Sequence, residues 1–547
     1  MLKYLFFVSL IVTSLSLVCG QEEDGLNGTK TTVSTNDCSL VGLLPFTWYG
    51  NPINSYQLPR DNNASTAAAP PYAVTHAAAA LLAADHFNAR SDIIIPELSN
   101  YTSNCSVQIN ELIIGNSDSR EGTASKFILD YYKTRNQSPC AVLGGYASIP
   151  TREAAVVSQG LDSVLVSHGA EDGRLTLPRT PEVTRTCAHQ HSTGEAIVNW
   201  LRSKNRTNFL AVAYTSHEHG VTYSDTVNNA AKETNFTHFV HSRFGPPFTG
   251  MEPNKSIRYA MLNIKDSTYR TIVAVLNDYE AQIGILADVA EELEMNSDEY
   301  VWIFVLPMEL SLDEFVVYST IETHANISKL VKGSALVRNL DEATLEESEF
   351  QQVWEQQDES FVDRLNEMLP SEYAVSTDYF QQYQPEPGAG YMYDAVMAVA
   401  MGKCQEEKAP VQGGKGGGGK GAGAGGAGAG GAGSGAGGAP SAENGNEIAS
   451  GSNNNDNNEG RRRRTKGERL KKRRLQKKPK KGEVLSPHMK GITSLEFTGV
   501  TGPHVWNEKR PRNRQRNLMT WGVYNVREID AEHRDRLEQR FPTHNFT

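Results

Sequence analysis

The sequence predicts an α/β protein in which two parallel β-sheets are covered by helices on both faces. Short, continuous apolar segments alternate with longer helical patterns along most of the chain, which is typical of parallel strands buried on both sides. The chain has 547 residues, more than the roughly 250–300 at which one hydrophobic core stops growing. The length therefore fits two such sheets. Only the block 405–487 breaks the alternation.

The elements follow one another in a regular order. The apolar segments expected to form strands are, in chain order, residues 39–44, 107–114, 141–143, 163–167, 209–214, 237–241, 271–276 and 300–306. The helical patterns cover 73–90, 121–135, 151–159, 192–202, 219–232, 281–293 and 350–369. In the second of these, Phe127, Ile128 and Tyr131 share the spacing of one helix face. Right-handed crossovers are expected between the parallel strands.

The N-terminus predicts secretion. Lys3 precedes an apolar run at 4–18, and the small residues at 18–20 indicate cleavage before Gln21. The run is shorter than the ~20 residues of a membrane-spanning helix, although an uncleaved signal anchor is the alternative. No later segment is apolar enough to span a bilayer, so we expect a lumenal or extracellular chain as given. Residues 21–37 are polar and are expected to be loose.

Glycosylation and cysteine usage agree with secretion. After removal of Cys19 five cysteines remain, an odd number that leaves one thiol free or paired between chains. Asn-x-Ser/Thr triplets are numerous; Asn104, which has Cys105 as its middle residue, and Asn136, which is followed by Ser138-Pro139, are poorer acceptors. The expected acceptors are Asn27, Asn63, Asn100, Asn205, Asn235, Asn254 and Asn326.

The block 405–487 is predicted to be a disordered insert. Gly/Ala repeats cannot bury side-chain surface, and an Asn-rich run follows them. Residues 461–481 then hold 14 Lys/Arg and one acid, so this run carries +13 while the net charge of −11 leaves −24 on the remainder. The folded part is therefore acidic and the insert basic.

Several interpretations of the basic run remain open. It contains no aromatic residues for base stacking, and a secreted protein rarely meets nucleic acid, so no nucleic-acid partner is expected. Arg464 and Arg474 follow multibasic runs of the kind that convertases cleave. Adhesion to an acidic polysaccharide or a mineral surface, or a solvated linker without a partner, are the other interpretations.

Local motifs follow one another in a characteristic order along the chain. They are AAAALLAADHFN (77–88), CAVLGG (140–145) with Ser148, VLVSHGA (164–170), FLAVAYTSHEHG (209–220), YVWIF (300–304), YMYDAVMAVA (391–400), FTGVTGPHVWNE (497–508) and WGVYNV (521–526). With these segments the chain resembles the type I periplasmic-binding-protein fold, and more narrowly the receptor ligand-binding region of natriuretic-peptide receptors and of class C G-protein-coupled receptors of the GABA-B and metabotropic-glutamate type. The resemblance covers about 39–527 without the insert.

This resemblance implies a two-lobed clamshell whose parallel sheets are flanked by helices and joined by three hinge crossings. Lobe 1 is expected to hold 38–187 and 307–404, and lobe 2 to hold 188–306 and 488–530. The remaining segments are the signal peptide 1–20, the loose segment 21–37, the insert 405–487 and a C-terminal tail at 531–547. The insert would then interrupt the third crossing.

The resemblance also implies a ligand site between the lobes. Lobe 1 would contribute Ser148 and the turn Ser167, His168, Gly169 and Ala170, and lobe 2 would contribute Tyr214 and His219. The alternative is that these are ordinary loop residues at strand ends. Family members that bind amino acids carry Ser/Thr after the Gly-Ala step, where this chain has Glu171 and Asp172. The acids would repel a carboxylate, so an amine or an uncharged ligand is expected at least as readily as an amino-acid-like one.

Other implied features are a disulfide between Cys105 and Cys140 and a homo- or heterodimer formed through lobe 1. The pairing of the other cysteines stays open. A membrane association is expected only through a part outside this sequence, in which case the protein would lie on the extracellular side of the plasma membrane.

No catalytic or cofactor motif stands out, so no cofactor, catalytic residue or metal site is predicted. The pairs His189/His191 and His217/His219 are read as surface histidines, with a metal chelate as the alternative. The Gly414–Lys420 match to a phosphate-binding loop lacks the following Ser/Thr, the strand and the helix. We expect a non-enzymatic, ligand-sensing receptor ectodomain; the alternatives are a secreted binding or scavenging protein and, less favoured, a secreted α/β enzyme.

Overall fold

A computed structural model describes most of the predicted α/β region. The residues described are 37–48, 51–52, 72–117, 122–172, 175, 182–188, 190–206, 209–216, 218–234, 236, 238–244, 253–276, 279–305, 325–339, 348–385, 388–408, 485–506 and 521–525. The predicted signal peptide, residues 21–36, residues 409–484 of the predicted insert 405–487 and the tail 531–547 lie outside them, as do Asn27, Asn63 and Asn235. The predicted start of the insert at 405 is wrong, because residues 405–408 form the last turn of the helix Ala389–Lys408.

Fifteen strands lie in the described residues. They are β1 (Asp37–Leu44), β2 (Thr47–Trp48), β3 (Asn51–Pro52), β4 (Gln108–Asn116), β5 (Ala141–Gly144), β6 (Val164–Ser167), β7 (Val183–Arg185), β8 (Phe209–Thr215), β9 (His238–Phe244), β10 (Thr271–Val275), β11 (Val301–Val305), β12 (Ala335–Asn339), β13 (Glu496–Gly499), β14 (Gly502–Val505) and β15 (Trp521–Asn525).

Fourteen α-helices lie between and after these strands in the same residues. They are α1 (Tyr72–Ala89), α2 (Leu98–Thr102), α3 (Thr123–Arg135), α4 (Ser148–Gly160), α5 (Gln190–Ser203), α6 (Glu218–Glu233), α7 (Pro253–Asp266), α8 (Tyr279–Glu292), α9 (Ala325–Val331), α10 (Glu349–Glu355), α11 (Glu359–Met368), α12 (Tyr379–Gln382), α13 (Ala389–Lys408) and α14 (Pro487–Thr493). A short 3₁₀ helix covers Ser371–Tyr373.

The larger strands form two sheets, as the alternation of strands and helices predicts. The first has the order β4-β1-β5-β6-β7, and all its neighbouring strands run parallel. The second has the order β15-β12-β11-β10-β8-β9 and is parallel except for β15, which runs antiparallel to β12. We call the part built on the first sheet lobe 1 and the part built on the second sheet lobe 2. The predicted α/β class is therefore confirmed.

Helices cover both faces of the first sheet. Because successive side chains of a strand point to opposite faces, neighbouring residues pack into different layers. In β5, Leu143 packs into the apolar layer with α1 and α13, whereas Val142 faces the layer with α3 and α4. Fifteen of the twenty residues of α13 are buried, which explains why this helix is apolar and small on all sides. It is covered by α1 and α14 rather than by solvent.

The second sheet is covered in the same way. In β10, Ile272 packs with α7, α8 and α9 on one face, and Val273 packs with α5 and α6 on the other. Strands buried on both faces need continuous Val, Ile, Leu and Ala rather than an alternating pattern. That requirement explains the sequence of β10, TIVAV, all five residues of which are buried.

The predicted lobe boundary at 306/307 is wrong for one strand. β12 was expected in lobe 1, but it pairs with β11 in the second sheet, in parallel, with Ile303 opposite Ala335. Its Leu336 and Val337 are fully buried in the two layers of lobe 2. Lobe 2 therefore extends at least to Asn339, and the chain is back in lobe 1 by α10.

The segment 488–506 is also in the other lobe from the one predicted. In α14, Met489 and Ile492 are fully buried in the lobe 1 core, and Phe497 and Trp506 belong to the same cluster. Gly491 of α14 lies so close to α13 that a Cβ there would collide with the Gly402 backbone. The insert consequently connects two helices of lobe 1, α13 and α14, and the chain passes to lobe 2 between Trp506 and Trp521.

The predicted Cys105–Cys140 disulfide is wrong. The bonds are Cys38–Cys140 and Cys105–Cys404, and the buried Cys187 belongs to neither of them. The first bond joins the start of β1 to the residue before β5, two neighbouring strands. The second joins the loop after α2 to the end of α13. The partners are set by strand order and by helix packing, which spacing along the chain does not reveal.

The predicted helix at 350–369 is two helices. Asp358 begins α11 as an N-cap, because its carboxylate accepts a hydrogen bond from the Phe361 N–H at 2.9 Å. Ser348 caps α10 in the same way, through Gln351. Asp and Ser are favoured at such positions because they satisfy free N–H groups of the first turn. The helix α7, which the sequence analysis left unassigned, lies between β9 and β10.

Candidate functional site

The loops that follow β5 and β6 at the carboxyl edge of the first sheet are fixed by their own hydroxyl groups. The Ala170 N–H donates to Ser167 Oγ at 3.0 Å, and the Asp172 N–H lies 3.4 Å from Ser148 Oγ. Ser167 is fully buried and Ser148 is half-buried. Three of the predicted ligand residues, Ser148, Ser167 and Ala170, are thus brought together, and both serines shape the loop 167–172.

Arg185, at the end of β7, holds the same loop from the neighbouring strand. Its side chain is fully buried, and its Nη1 and Nη2 donate to the carbonyl oxygens of Ala170 and Asp172 at 3.0 and 2.9 Å. Burial lowers the pKa of the guanidinium, and nearby groups that include Asp172 and Glu171 oppose that shift. The buried charge is thus partly balanced within the loop it supports.

Three aromatic rings, one of them from the loop itself, pack together beneath this loop. The centroid of His168 lies 5.1 Å from that of His76 in α1, in an edge-to-face arrangement, and 6.3 Å from that of Tyr146 in the loop after β5. Burial, followed by the nearby His76, lowers the pKa of His168 well below its ordinary value, although the Gly144 backbone opposes this. His168 is therefore neutral at physiological pH. Gly169 is required here because a Cβ would lie 2.6 Å from the Tyr146 ring.

One side-chain hydrogen bond joins the two lobes at this edge. The Tyr223 hydroxyl, in α6 of lobe 2, donates to Glu171 Oε2 at 2.6 Å. The Glu171 carbonyl oxygen also accepts from the Gln190 N–H at the start of α5, at 3.1 Å. Tyr223 is 2% exposed and Glu171 is half-buried. The lobe 1 loop that holds the predicted ligand residues is therefore fastened to two helices of lobe 2.

The lobe 2 candidates are placed less completely. Tyr214 is half-buried near the carboxyl end of β8, and its ring meets the edge of His241 at 6.0 Å. The backbone of His219 lies in the first turn of α6, while its side chain is outside the described part of the structure. Tyr214 thus lies at the strand end where the prediction places it, and His219 stays a prediction.

The sequence analysis missed Arg185, Tyr223 and His76. A single Arg at a strand end resembles a surface residue, and a Tyr in an amphipathic helix resembles a core residue, so neither carries a local signal. His76 is different, because it is the one ionisable residue in the mostly apolar run AVTHAAAALLAA. A fully buried polar residue in such a run is informative.

The described residues contain neither a metal-binding cluster nor a membrane-spanning helix. Among the described residues no group of three or more His, Cys, Asp or Glu side chains could hold a metal ion. The side chains of His189, His191, His217 and His219 lie outside that part of the chain. Where the structure describes helices, none is both long and apolar enough to cross a bilayer.

Comparison with known protein families assigns the chain to one of them. The model of the receptor family ligand binding region matches residues 76–518, which is most of the sequence. The chain belongs to this family. Together with the two helix-flanked parallel sheets, this membership establishes the type I periplasmic-binding-protein fold that the ordered motifs predicted.

Solved structures with a similar fold are distant in sequence. A branched-chain amino acid binding protein LivJ from Streptococcus pneumoniae, in complex with isoleucine, is 13% identical and covers 90% of this chain and 98% of its own, with a TM-score of 0.47. The leucine-binding protein LivK from Thermotoga maritima is 11% identical and covers 90% and 99%, also with a TM-score of 0.47. None of the curated protein sequences compared with this chain matches it.

Proposed function

We propose that the protein is the extracellular, receptor-type sensor of a small molecule that binds between the lobes. The observation that carries the proposal is the Tyr223–Glu171 hydrogen bond, which joins the lobes at the edge where the loops of lobe 1 converge. In a hinged fold, a ligand shifts the equilibrium toward the closed form only if it binds that form better. Groups from both lobes must then contact it, and this contact lies between them. Binding rather than catalysis is the proposed activity.

The proposed ligand is an amine or an uncharged molecule rather than an α-amino acid. The half-buried Glu171 carboxylate would attract an ammonium group and repel a carboxylate. The Arg185 guanidinium is engaged by loop carbonyls, so it supports the loop rather than a ligand anion. Tyr146 and His168 are buried beneath this loop, so the preference for an amine rests on the charge of Glu171.

A ligand screen by thermal shift tests the proposal. Amines, amino acids and peptides should be tested on the full chain, because a ligand at 100 times its Kd stabilises by about 2.7 kcal/mol. We expect a positive shift with an amine and none with its N-acetyl derivative, which lacks the charge. If no amine, uncharged molecule, amino acid or peptide stabilises the protein, the sensing proposal is wrong.

Two variants separate a role of the interlobe contact in closure from general stability. Tyr223→Phe removes the hydroxyl that bonds Glu171, and Glu171→Gln removes the charge. Both should weaken the ligand-induced shift, and Glu171→Gln should weaken it more for amines than for uncharged ligands. Tyr259→Phe at an exposed position of α7 is the matched control and should leave the shift unchanged. Equal effects of all three variants on the ligand-induced thermal shift would contradict the proposed role of the Tyr223–Glu171 contact.

We also propose that lobe 1 forms a dimer. Its helices α3 and α4 pack together and expose four large apolar side chains. Single exposed apolar residues need no explanation, whereas a group of them suggests an interface. They are Leu129, Tyr132, Ile149 and Val156, the last 65% exposed.

Light scattering on the wild type and on Val156→Glu tests the dimer. The wild type should have twice the chain mass, and the variant should have the mass of one chain. A monomeric wild type at micromolar concentration would refute the dimer.

A further inference from the structure

The end of the second sheet where its parallel strands begin, away from the proposed ligand site, carries exposed aromatic side chains. The Phe209 ring is 49% exposed and stacks on His238 with centroids 5.0 Å apart and an angle of 9° between their planes. Tyr269 meets Phe209 at 5.2 Å. His238 is exposed and Tyr269 half-buried. We call these three residues the aromatic edge.

Phe209 and His238 are direct neighbours because each is the first residue of its strand. β8 and β9 run parallel with Phe209 opposite His238, and β10 begins beside them just after Tyr269 and Arg270. Both side chains are exposed at this end of the sheet. A Phe that is half exposed on a soluble surface raises the question of what covers it.

Each of the two strands is preceded by a glycosylation triplet. Asn205-Arg206-Thr207 ends two residues before Phe209, and Asn235-Phe236-Thr237 ends one residue before His238. Asn205 is exposed and has a φ of 55° at the end of α5, where the Asn205 N–H donates to the Arg202 carbonyl at 2.9 Å. Asn235 itself lies outside the described residues. Two acceptor sites on adjacent connections thus lead into the same aromatic pair.

We propose that N-linked glycans on Asn205 and Asn235 pack over the aromatic edge and shield it from other proteins. The C–H groups of a pyranose ring are weakly positive and suit the negative faces of aromatic rings. A glycan is bulky and strongly hydrated on its outer side, so it covers apolar surface while it keeps the protein soluble. The inference rests on the proposed extracellular function, because the glycans are added in the secretory pathway.

Mass spectrometry and a surface probe test the proposal on the full chain secreted from an animal cell line. Glycopeptide analysis should find Asn205 and Asn235 occupied. The dye ANS should bind weakly to the native glycoprotein, and its emission should increase when both sites are changed to Gln. Asn100→Gln is the matched control, since Asn100 is exposed on lobe 1 away from this edge, and it should produce no increase.

A second set of variants assigns the new dye site to the aromatic edge. Phe209→Ser or His238→Ser, added to the variant that lacks both glycans, should abolish the extra ANS emission, and using either residue guards against one variant that fails to fold. Trimming with an enzyme that leaves a single sugar on each Asn should keep emission low, because the proposed contact is made by the first sugar.

The outcomes separate this inference from the proposed function. Glycans on Asn100 but not on Asn205 and Asn235 would overturn the shield and leave the extracellular location intact. No glycan at any triplet would contradict the location itself. If both sites are occupied but their removal leaves ANS emission unchanged, the aromatic edge is not what the glycans cover and the inference is wrong.

Discussion

Asp394 of α13 fixes the turn between β13 and β14. Its carboxylate accepts hydrogen bonds from the Val500 and Thr501 N–H groups at 2.8 and 3.0 Å and from the Thr501 hydroxyl at 2.6 Å. His504 Nε2 lies 2.9 Å away. Burial alone raises the pKa of Asp394, but His504 and Thr501 outweigh it, so the pKa lies below its ordinary value. One side chain thereby fixes the turn that precedes the return of the chain to lobe 2.

Replacement of this carboxylate should destabilise the protein strongly. In Asp394→Asn, an amide NH₂ would face N–H donors, and removal of one partner of a buried pair typically costs about 3–5 kcal/mol. Urea denaturation should give a loss of that size, whereas Asp92→Asn at an exposed position should change stability by less than about 0.5 kcal/mol. Equal stability of Asp394→Asn and the wild type would show that the hydrogen bonds are not maintained in solution.

His488 should make the fold sensitive to mild acid. It is buried in α14 and its Nε2 lies 3.0 Å from the Val399 carbonyl oxygen; burial lowers its pKa from 6.5 to about 4. Between these values the unfolded chain binds a proton that the folded chain does not, so stability is complete above pH 6.5 and falls as the pH drops toward 4. The difference between the two pKa values corresponds to a change of roughly 3 kcal/mol in the free energy of unfolding.

Urea titrations from pH 7 to pH 4 measure this effect. The variant His488→Gln keeps an N–H donor for the Val399 carbonyl without a titrating group, so its stability should fall less steeply over that range. Asn110→Gln, at an exposed position without a titrating group, is the control and should retain the slope of the wild type. Parallel curves for wild type and His488→Gln would show that another group is responsible.

The sequence could predict that Ser148, Ser167 and Ala170 lie close together, because they lie at or after the ends of apolar strands and parallel strands place their carboxyl ends together. Their role as ligand residues stays a prediction. The Glu171–Tyr223 contact could not be found, since it depends on how the two lobes face each other. The cysteine partners depend on the same kind of long-range packing, and the predicted Cys105–Cys140 bond was wrong for that reason.

At the scale of elements, periodicity identified most strands and helices but not always their lobe. β10 and α13 were evident because complete burial imposes a continuous apolar sequence. β12 and α14 are short, and nothing within their sequences indicates which lobe they belong to. Their placement follows from a crossover through α9 and from the close approach of Gly402 to Gly491. Both are properties of the assembled layers.

The Cys105–Cys404 bond should contribute substantially to stability. It ties the end of α13 to the loop after α2 and closes a separation of 299 residues; disulfides typically stabilise by about 2–5 kcal/mol, mainly by restricting the unfolded chain. The double variant Cys105→Ala/Cys404→Ala should lose stability in that range by thermal denaturation. Cys187→Ala, which breaks no disulfide, should lose less. Peptide mapping that finds Cys105 joined to Cys140 instead would refute the pairing.

At the scale of the whole molecule, the insert is joined to lobe 1 at two well-anchored ends. Before it, Glu407 accepts hydrogen bonds from the N–H and hydroxyl of Ser106 at 3.1 and 2.9 Å, and Lys408 donates to the Tyr101 carbonyl at 2.9 Å. After it, the Ser486 N–H donates to Glu182 at 2.9 Å. The contacts that fix α13 and α14 are thus made outside the insert.

Removal of the insert should therefore leave the fold intact. When residues 409–484 are replaced by a Gly/Ser linker of about 20 residues, the lower cost of loop closure should raise stability by about 1 kcal/mol. Thermal denaturation of the two proteins measures this, and failure of the shortened chain to fold would contradict it. A reducing gel of the secreted wild type separately shows whether the basic run is cleaved, since cleavage gives two fragments.

The position of β15 has a consequence for biosynthesis. It completes the second sheet by pairing with β12, yet it follows β12 by about 180 residues. At roughly 5–20 residues per second, the ribosome needs on the order of 10–40 s to supply it. During that interval β12 is an open sheet edge, the kind of surface that recruits other chains. The insert lengthens this interval, so the nascent protein should depend on chaperones more than a relative without an insert.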